Sequence, residues 1–208
     1  VSTIVVSAAI IDAVTETTDP VNGLTGGSTS SLISNDTLDG SPAVIGNGAG
    51  QVTLTAVDVP TGFTLNADAT VTVAPNTAAG SYSLTYRICE VNNTTNCDSA
   101  VSTIVVSAAI IDAVTETTNP VNGLAGGTTT SSLISNDTFD GSPAVIGIAP
   151  GQVTLTGVIV PTGFTLNTNN GVVTVPPNTQ AGSYNLTYRI CQSTNGLNCD
   201  SAVSTIVV

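Results

Sequence analysis

The sequence predicts an all-β protein built as two tandem β-sandwich domains. Three observations carry the prediction. There is an internal repeat with an offset of about 100 residues, the apolar residues are mainly Val, Ile, Leu and Ala mixed with much Thr, and Gly, Pro, Asn and Asp punctuate the chain at short intervals. β-Branched residues favour strands over helices. Many short strands separated by turn signals read as a sandwich.

The repeat is explicit. Residues 1–18, VSTIVVSAAIIDAVTETT, recur letter for letter at 101–118, and VSTIVV appears again at 203–208. SLISNDTLDGSPAVIG (31–46) returns as SLISNDTFDGSPAVIG (132–147), and AGSYSLTYRIC (79–89) as AGSYNLTYRIC (181–191). The offset grows from 100 to 102 through single-residue insertions near Thr128–Ser132 and Asn169–Gly171, polar stretches where loops absorb length. A period this long matches one complete small domain, not a solenoid turn of roughly 20–50 residues. The expected organisation is an immunoglobulin-like Greek-key sandwich over 8–107 and a second over 108–208. Residues 1–7 are set apart as a terminal strand, and residues 1–6 duplicate the last strand of each repeat. They are expected to close a preceding repeat or to be donated to another subunit, both of which imply an extended fibre, with a frayed terminus as the alternative.

The strands expected in the first repeat follow in order. Ser2–Val6 and Ile10–Thr15 are apolar and β-branched; Ser31–Ile33 and Val44–Gly46 flank the Gly40-Ser41-Pro42 turn. Gln51–Val57 and Phe63–Leu65 lie either side of Pro60-Thr61-Gly62. Thr70–Val73 precedes Pro75-Asn76, and Gly80–Cys89 and Asp98–Val106 end the repeat. Alternation is clearest in Gly80–Cys89: Tyr82, Leu84, Tyr86 and Ile88 fall on one face, taken as core, with Ser83, Thr85 and Arg87 on the other. Tyr82 is also a candidate corner residue whose hydroxyl bonds backbone.

Composition limits function. Fourteen acidic residues face two arginines, Arg87 and Arg189, with no lysine and no histidine, for a net charge of −12. Such a chain should repel nucleic acid and anionic lipid. Without His or Lys there is no Ser-His or Cys-His nucleophile pair, no His-ligated zinc and no Schiff base, and no catalytic arrangement is legible, so no enzyme is expected. No stretch of 18 apolar residues offers a membrane span. The pairs Cys89/Cys97 and Cys191/Cys199, equally spaced in both repeats, suggest disulfides clamping the hairpin between the last two strands, and an oxidising, extracellular compartment. Two thiols per domain with no His make a poor zinc set. Arg87 and Arg189 occupy equivalent strand positions. They read either as capture of an anionic ligand or as a surface ion pair, with Glu90 or Asp98 the partner in the first repeat.

The run IIDAVTET…SLISNDTLDGSP…GQVTLT…AGSYSLTYRICE…NCDSAVSTIVV resembles the tandem immunoglobulin-like, cadherin-like repeats of giant bacterial cell-surface adhesins, closest in style to those of Bacteroidota gliding and adhesion proteins. The resemblance covers essentially the whole chain and implies a stalk or extender role. It implies calcium at Asp12, Glu16, Asn35, Asp36 and Asp39, and at Asp112, Glu116, Asn136, Asp137 and Asp140 in the second repeat. The competing reading of Asn-Asp-Thr followed by Asp-Gly is local turn chemistry. The resemblance also implies O-glycans at Thr37, Ser99, Thr138 and Ser201, each after an Asp. The expected partners are neighbouring repeats of the same fibre, tandem or strand-exchanged. A carbohydrate- or protein-binding module is the alternative, and no cofactor is required, with calcium as an optional ion.

Overall fold

The structure, a computed structural model, describes residues 2–208. The chain folds into two units, Val1–Ala108 and Ala109–Val208, each all-β. In the first, the strands are β1 (Ile11–Asp12), β2 (Val21–Asn22), β3 (Gly27–Ser28), β4 (Thr37–Leu38), β5 (Ser41–Pro42), β6 (Val52–Asp58), β7 (Phe63–Leu65), β8 (Val71–Val73), β9 (Gly80–Glu90) and β10 (Asn93–Ser107). They form sheets ordered β2-β10-β9-β6, β3-β8-β7 and β1-β4-β5. In the second, β11 (Ile111–Asp112), β12 (Gly127–Thr128), β13 (Thr138–Phe139), β14 (Ser142–Pro143), β15 (Val153–Ile159), β16 (Thr165–Leu166), β17 (Val173–Val175), β18 (Ser183–Gln192) and β19 (Asn195–Val207) form β15-β18-β19, β12-β17-β16 and β11-β13-β14.

The long antiparallel hairpin β9–β10 organises the first unit because its sequence alternates. Leu84, Tyr86 and Ile88 of β9 and Ala100, Ser102, Ile104 and Val106 of β10 are buried. Their odd-numbered neighbours line the outside, as a two-residue side-chain period requires. Val71 and Val73 close the core from β8, with Thr72 between them facing out. Each apolar side chain fully withdrawn from water contributes about 1.5–3 kcal/mol. Leu186, Tyr188, Ile190 and Ile206 repeat the pattern in the second unit. The Tyr82 hydroxyl donates to the Ala78 carbonyl (2.7 Å), as Tyr184 does to Gln180 (2.8 Å), so both close a corner at the start of their strand.

Four strand expectations are corrected. Ser2–Val6 is outside any strand, with Ile4, Val5 and Val6 at least 86% exposed, because residues 102–106, of the same sequence, fill that place in the first unit's sheet. Ile10–Thr15 is paired only at Ile11–Asp12, antiparallel to β4. Beyond it the Ala13 and Val14 N–H groups donate to the carboxylates of Asp98 and Asp36 instead of to a strand. The chain then runs parallel to β10, at Thr17 beside Thr103 and at Val21 beside Val106. Ser31–Ile33 is a turn region: Leu32 and Ile33 are both buried, which alternation in a strand forbids. Val44–Gly46 makes a single parallel bridge, Ile45 to Val52, because the intervening residues form a tight loop in which the Gln51 side chain accepts from the Gly48 N–H.

Candidate functional site

Two places in each unit combine polar chemistry with a defined geometry: a buried carboxylate–tyrosine cluster, and the outward face of the largest sheet.

The cluster forms where the segment after β1, the turn before β4 and the middle of β9 meet. Asp36 is almost wholly buried, 1% exposed. The Val14 N–H donates to its Oδ1 (2.7 Å) and the Tyr86 hydroxyl to its Oδ2 (2.9 Å). The same hydroxyl lies 2.9 Å from the Leu32 carbonyl oxygen. Burial raises the Asp36 pKa; the Val14 and Tyr86 hydrogen bonds pull it back, and the charges of Asp12 and Asp98 push it further up. Glu16, half-buried beside it, is pushed up to about 7, first by burial and then by the Asp36 charge. Burial and the nearby Asp36 also push the Tyr86 hydroxyl far above the ordinary phenol range. Glu16 Oε1 and the fully buried Ser102 Oγ have no hydrogen-bond partner among the described residues.

The second unit repeats the arrangement. Tyr188 donates to Asp137 Oδ1 (2.8 Å), and the Val114 N–H to the same oxygen (2.8 Å). Here Ser204 Oγ donates to Glu116 Oε1 (2.8 Å) and Oε2 is left unpartnered. Glu116 is also pushed up to about 7, by burial, with the Ser204 bond acting downward and the Asp137 charge upward.

The ten residues expected to hold calcium divide accordingly. Glu16 and Asp36, with Glu116 and Asp137, enter the clusters. Asn35 and Asn136 are exposed, and Asp12 and Asp112 are exposed on β1 and β11. Asp39 and Gly40 take φ of 52° and 76°, the left-handed pair of a two-residue hairpin loop between β4 and β5, and Asp140-Gly141 do the same between β13 and β14. Among the described residues no group of three or more acidic, His or Cys side chains is placed to hold a metal ion. Sequence reasoning missed the role of Asp36 as the acceptor that ties Val14 to Tyr86, because its tyrosine lies 50 residues away in the chain.

Both disulfides are formed, Cys89–Cys97 and Cys191–Cys199. In each hairpin the two cysteines stand directly opposite in register, with Cα atoms 4.1 and 4.0 Å apart. Next to them on the outward face are Arg87 and Arg189. The ion pair expected for Arg87 is not made: neither guanidinium has a hydrogen-bond or ion-pair partner among the described residues. Glu90 accepts from the Asn96 side chain and Asp98 from the Ala13 N–H. Both acids fall on the inward-facing alternation of their strands, Asp98 opposite buried Ile88. Of the expected glycan positions, Ser99 and Ser201 are exposed beside these arginines, while Thr37 and Thr138 are half-buried in strands.

No protein-family model matches the sequence, and no curated protein does. Solved structures with a similar arrangement include mouse cadherin-23 repeats EC22-24 (TM-score 0.39, 16% identity, covering 97% of this chain and 64% of that one). Chicken VE-cadherin EC1-2 aligns at a TM-score of 0.35 and 17% identity, over 92% of this chain and 97% of that one. A SusE-like surface polysaccharide-binding protein of Bacteroides thetaiotaomicron, BT4661, aligns at 0.32 and 12%, over 95% and 33%. The chain thus spans under two thirds of the cadherin-23 fragment and about a third of BT4661.

Proposed function

We propose that this chain is an extender segment of an extracellular bacterial surface fibre or adhesin stalk, with no catalytic activity. The supporting observation is that each unit owns a complete core and its own hairpin disulfide, matched residue for residue: Leu84, Tyr86 and Ile88 with Leu186, Tyr188 and Ile190. Near-identical, self-sufficient beads serve to add length, and load passes through each bead separately. The disulfides fit an oxidising compartment. In this reading Ser2–Val6, exposed and identical in sequence to residues 102–106 of β10, belongs to the sheet of a neighbouring repeat, tandem or strand-exchanged.

Independence of the two beads is the testable core of the proposal. Leu84→Ala removes a fully buried side chain from the first unit alone, at a cost of about 2–5 kcal/mol. Calorimetry of the full chain should then show two transitions, one lowered and one at the parental temperature. A single transition that shifts as a whole would show one cooperative body and end the extender account.

A further inference from the structure

We propose that the outward face of the β6-β9-β10 sheet, with its counterpart β15-β18-β19, binds an anionic polysaccharide, each arginine gripping one carboxylate or sulfate group. The face is defined by register. Arg87 stands in the central strand between Thr55 of β6 and Ser99 of β10, and one row along, Thr85 stands beside Val101. In the second unit Arg189 stands between Thr156 and Ser201, with Thr187 beside Val203 in the next row.

Three features point to a ligand. First, these are the chain's two cations among fourteen acids, and both are exposed and unpaired. A side chain free to choose among so many carboxylates is instead held where none reaches it. Second, the face is otherwise uncharged. Asp58, opposite Thr85, is the one carboxylate among the outward positions of β6, β9 and the Cys97–Val105 stretch of β10, and Ile159 takes its place opposite Thr187 in the second unit. At physiological salt the screening length is about 8 Å, so a ligand on this face feels the guanidinium more than the distant acids. Third, the surroundings suit a sugar: hydroxyls of Thr55 and Ser99 for hydrogen bonds, and the half-exposed Val101 for a ring face.

Magnitude selects a polymer over a free anion. A planar guanidinium takes a carboxylate or sulfate through two parallel N–H bonds. One such contact at an exposed site is nonetheless weak. A polymer that repeats its charge presents many equivalent groups to each site, so a contact that lets go is soon replaced and a weak site becomes usable. This site is independent of the extender role, and its failure would leave that role standing.

The test is retardation of the full 208-residue chain in native gels containing dextran sulfate, polygalacturonate or neutral dextran, at ~150 mM salt, where screening is as short as the argument requires. Retardation by one or both charged polymers and not by neutral dextran is expected. Arg87→Gln with Arg189→Gln should weaken it by about tenfold or more, each single variant less, and Arg189→Gln more than Arg87→Gln because Asp58 opposes the first site. Arg→Lys at both should restore it only in part, since charge returns without the fork. Both arginines are exposed, so the variants should melt as the parent does. No retardation of the parent, or equal retardation of parent and double Gln variant, overturns the proposal. So does full competition by inorganic sulfate at the concentration of polymer charge, which marks a free-anion site. So does self-association of the parent that the Gln variants abolish without any polymer binding, which marks a face for a second copy.

Discussion

The buried glutamates make a quantitative prediction: Glu16→Gln with Glu116→Gln will stabilise the protein near pH 8 and remove a stabilisation that the parent gains on acidification. Both carboxyls rise from an ordinary 4.5 to about 7. A gap of about 2.5 pH units, at ~1.36 kcal/mol each, is about 3.4 kcal/mol at full strength. Both groups keep part of their surface in water, and screening reduces this to about 1.5 kcal/mol per unit. The sign follows from proton binding. With the folded pKa above the unfolded one, the folded state holds the proton more tightly, so the penalty is fully present above pH 7. It fades as pH falls from 7 towards 4.5 and is gone below. In a domain of this size about 1.5 kcal/mol moves Tm by about 6–12 °C. Thermal unfolding of parent and variant at pH 5 and pH 8 is the assay. Lowering the net charge of −12 stabilises both proteins on acidification, so the difference between them isolates the glutamates. A variant whose pH dependence matches the parent's would refute the argument that these carboxyls are desolvated.

Two further expectations concern stability. Tyr86→Phe removes the hydroxyl donor from a carboxylate that is 1% exposed, and urea unfolding at neutral pH should show a loss of about 2–3 kcal/mol confined to the first unit, with Tyr188→Phe doing the same in the second. Reducing a disulfide whose cysteines are 8 residues apart should cost about 2.5 kcal/mol per unit in the chain-entropy account, and Cys89→Ser with Cys97→Ser should lower only one of two calorimetric transitions.

The long hairpin was legible because Tyr82 through Ile88 alternate over a whole strand, and the cysteine pairing because the spacing recurs in both repeats. The short strands were not. Val21–Asn22, Gly27–Ser28, Thr37–Leu38 and Ser41–Pro42 hold two residues each, too few for a period to register, and the first two pair with strands far along the chain. The same distance hid the cluster. Asp36 reads locally as turn chemistry, and its neighbour Asp39 does serve a turn. Nothing near Asp36 in sequence announces Val14 and Tyr86, which only the fold delivers. The ion-pair reading of Arg87 failed for a related reason. Glu90 and Asp98 lie close in sequence and register, but alternation sends their side chains to the opposite face.

The scarcity of cations explains why one member of each cluster titrates near neutrality. A fold that buries carboxylates normally pairs them with Lys or Arg. This chain has no lysine and holds both arginines on the outside, so neutral donors must satisfy the buried acids. Asp36 takes the Val14 N–H and the Tyr86 hydroxyl, and Asp98 takes the Ala13 N–H. Those bonds fasten the N-terminal segment to the turn before β4 and to both strands of the main hairpin, a connection that the two-residue β1 is too short to secure by ladder pairing alone. Glu16 comes last in this sequence of demands: its Oε1 is buried with no hydrogen-bond partner among the described residues. A carboxyl in that position lowers its energy by keeping its proton, which is why Glu16, and not the better-buried Asp36, is the group whose replacement by Gln should leave the fold intact and more stable at neutral pH.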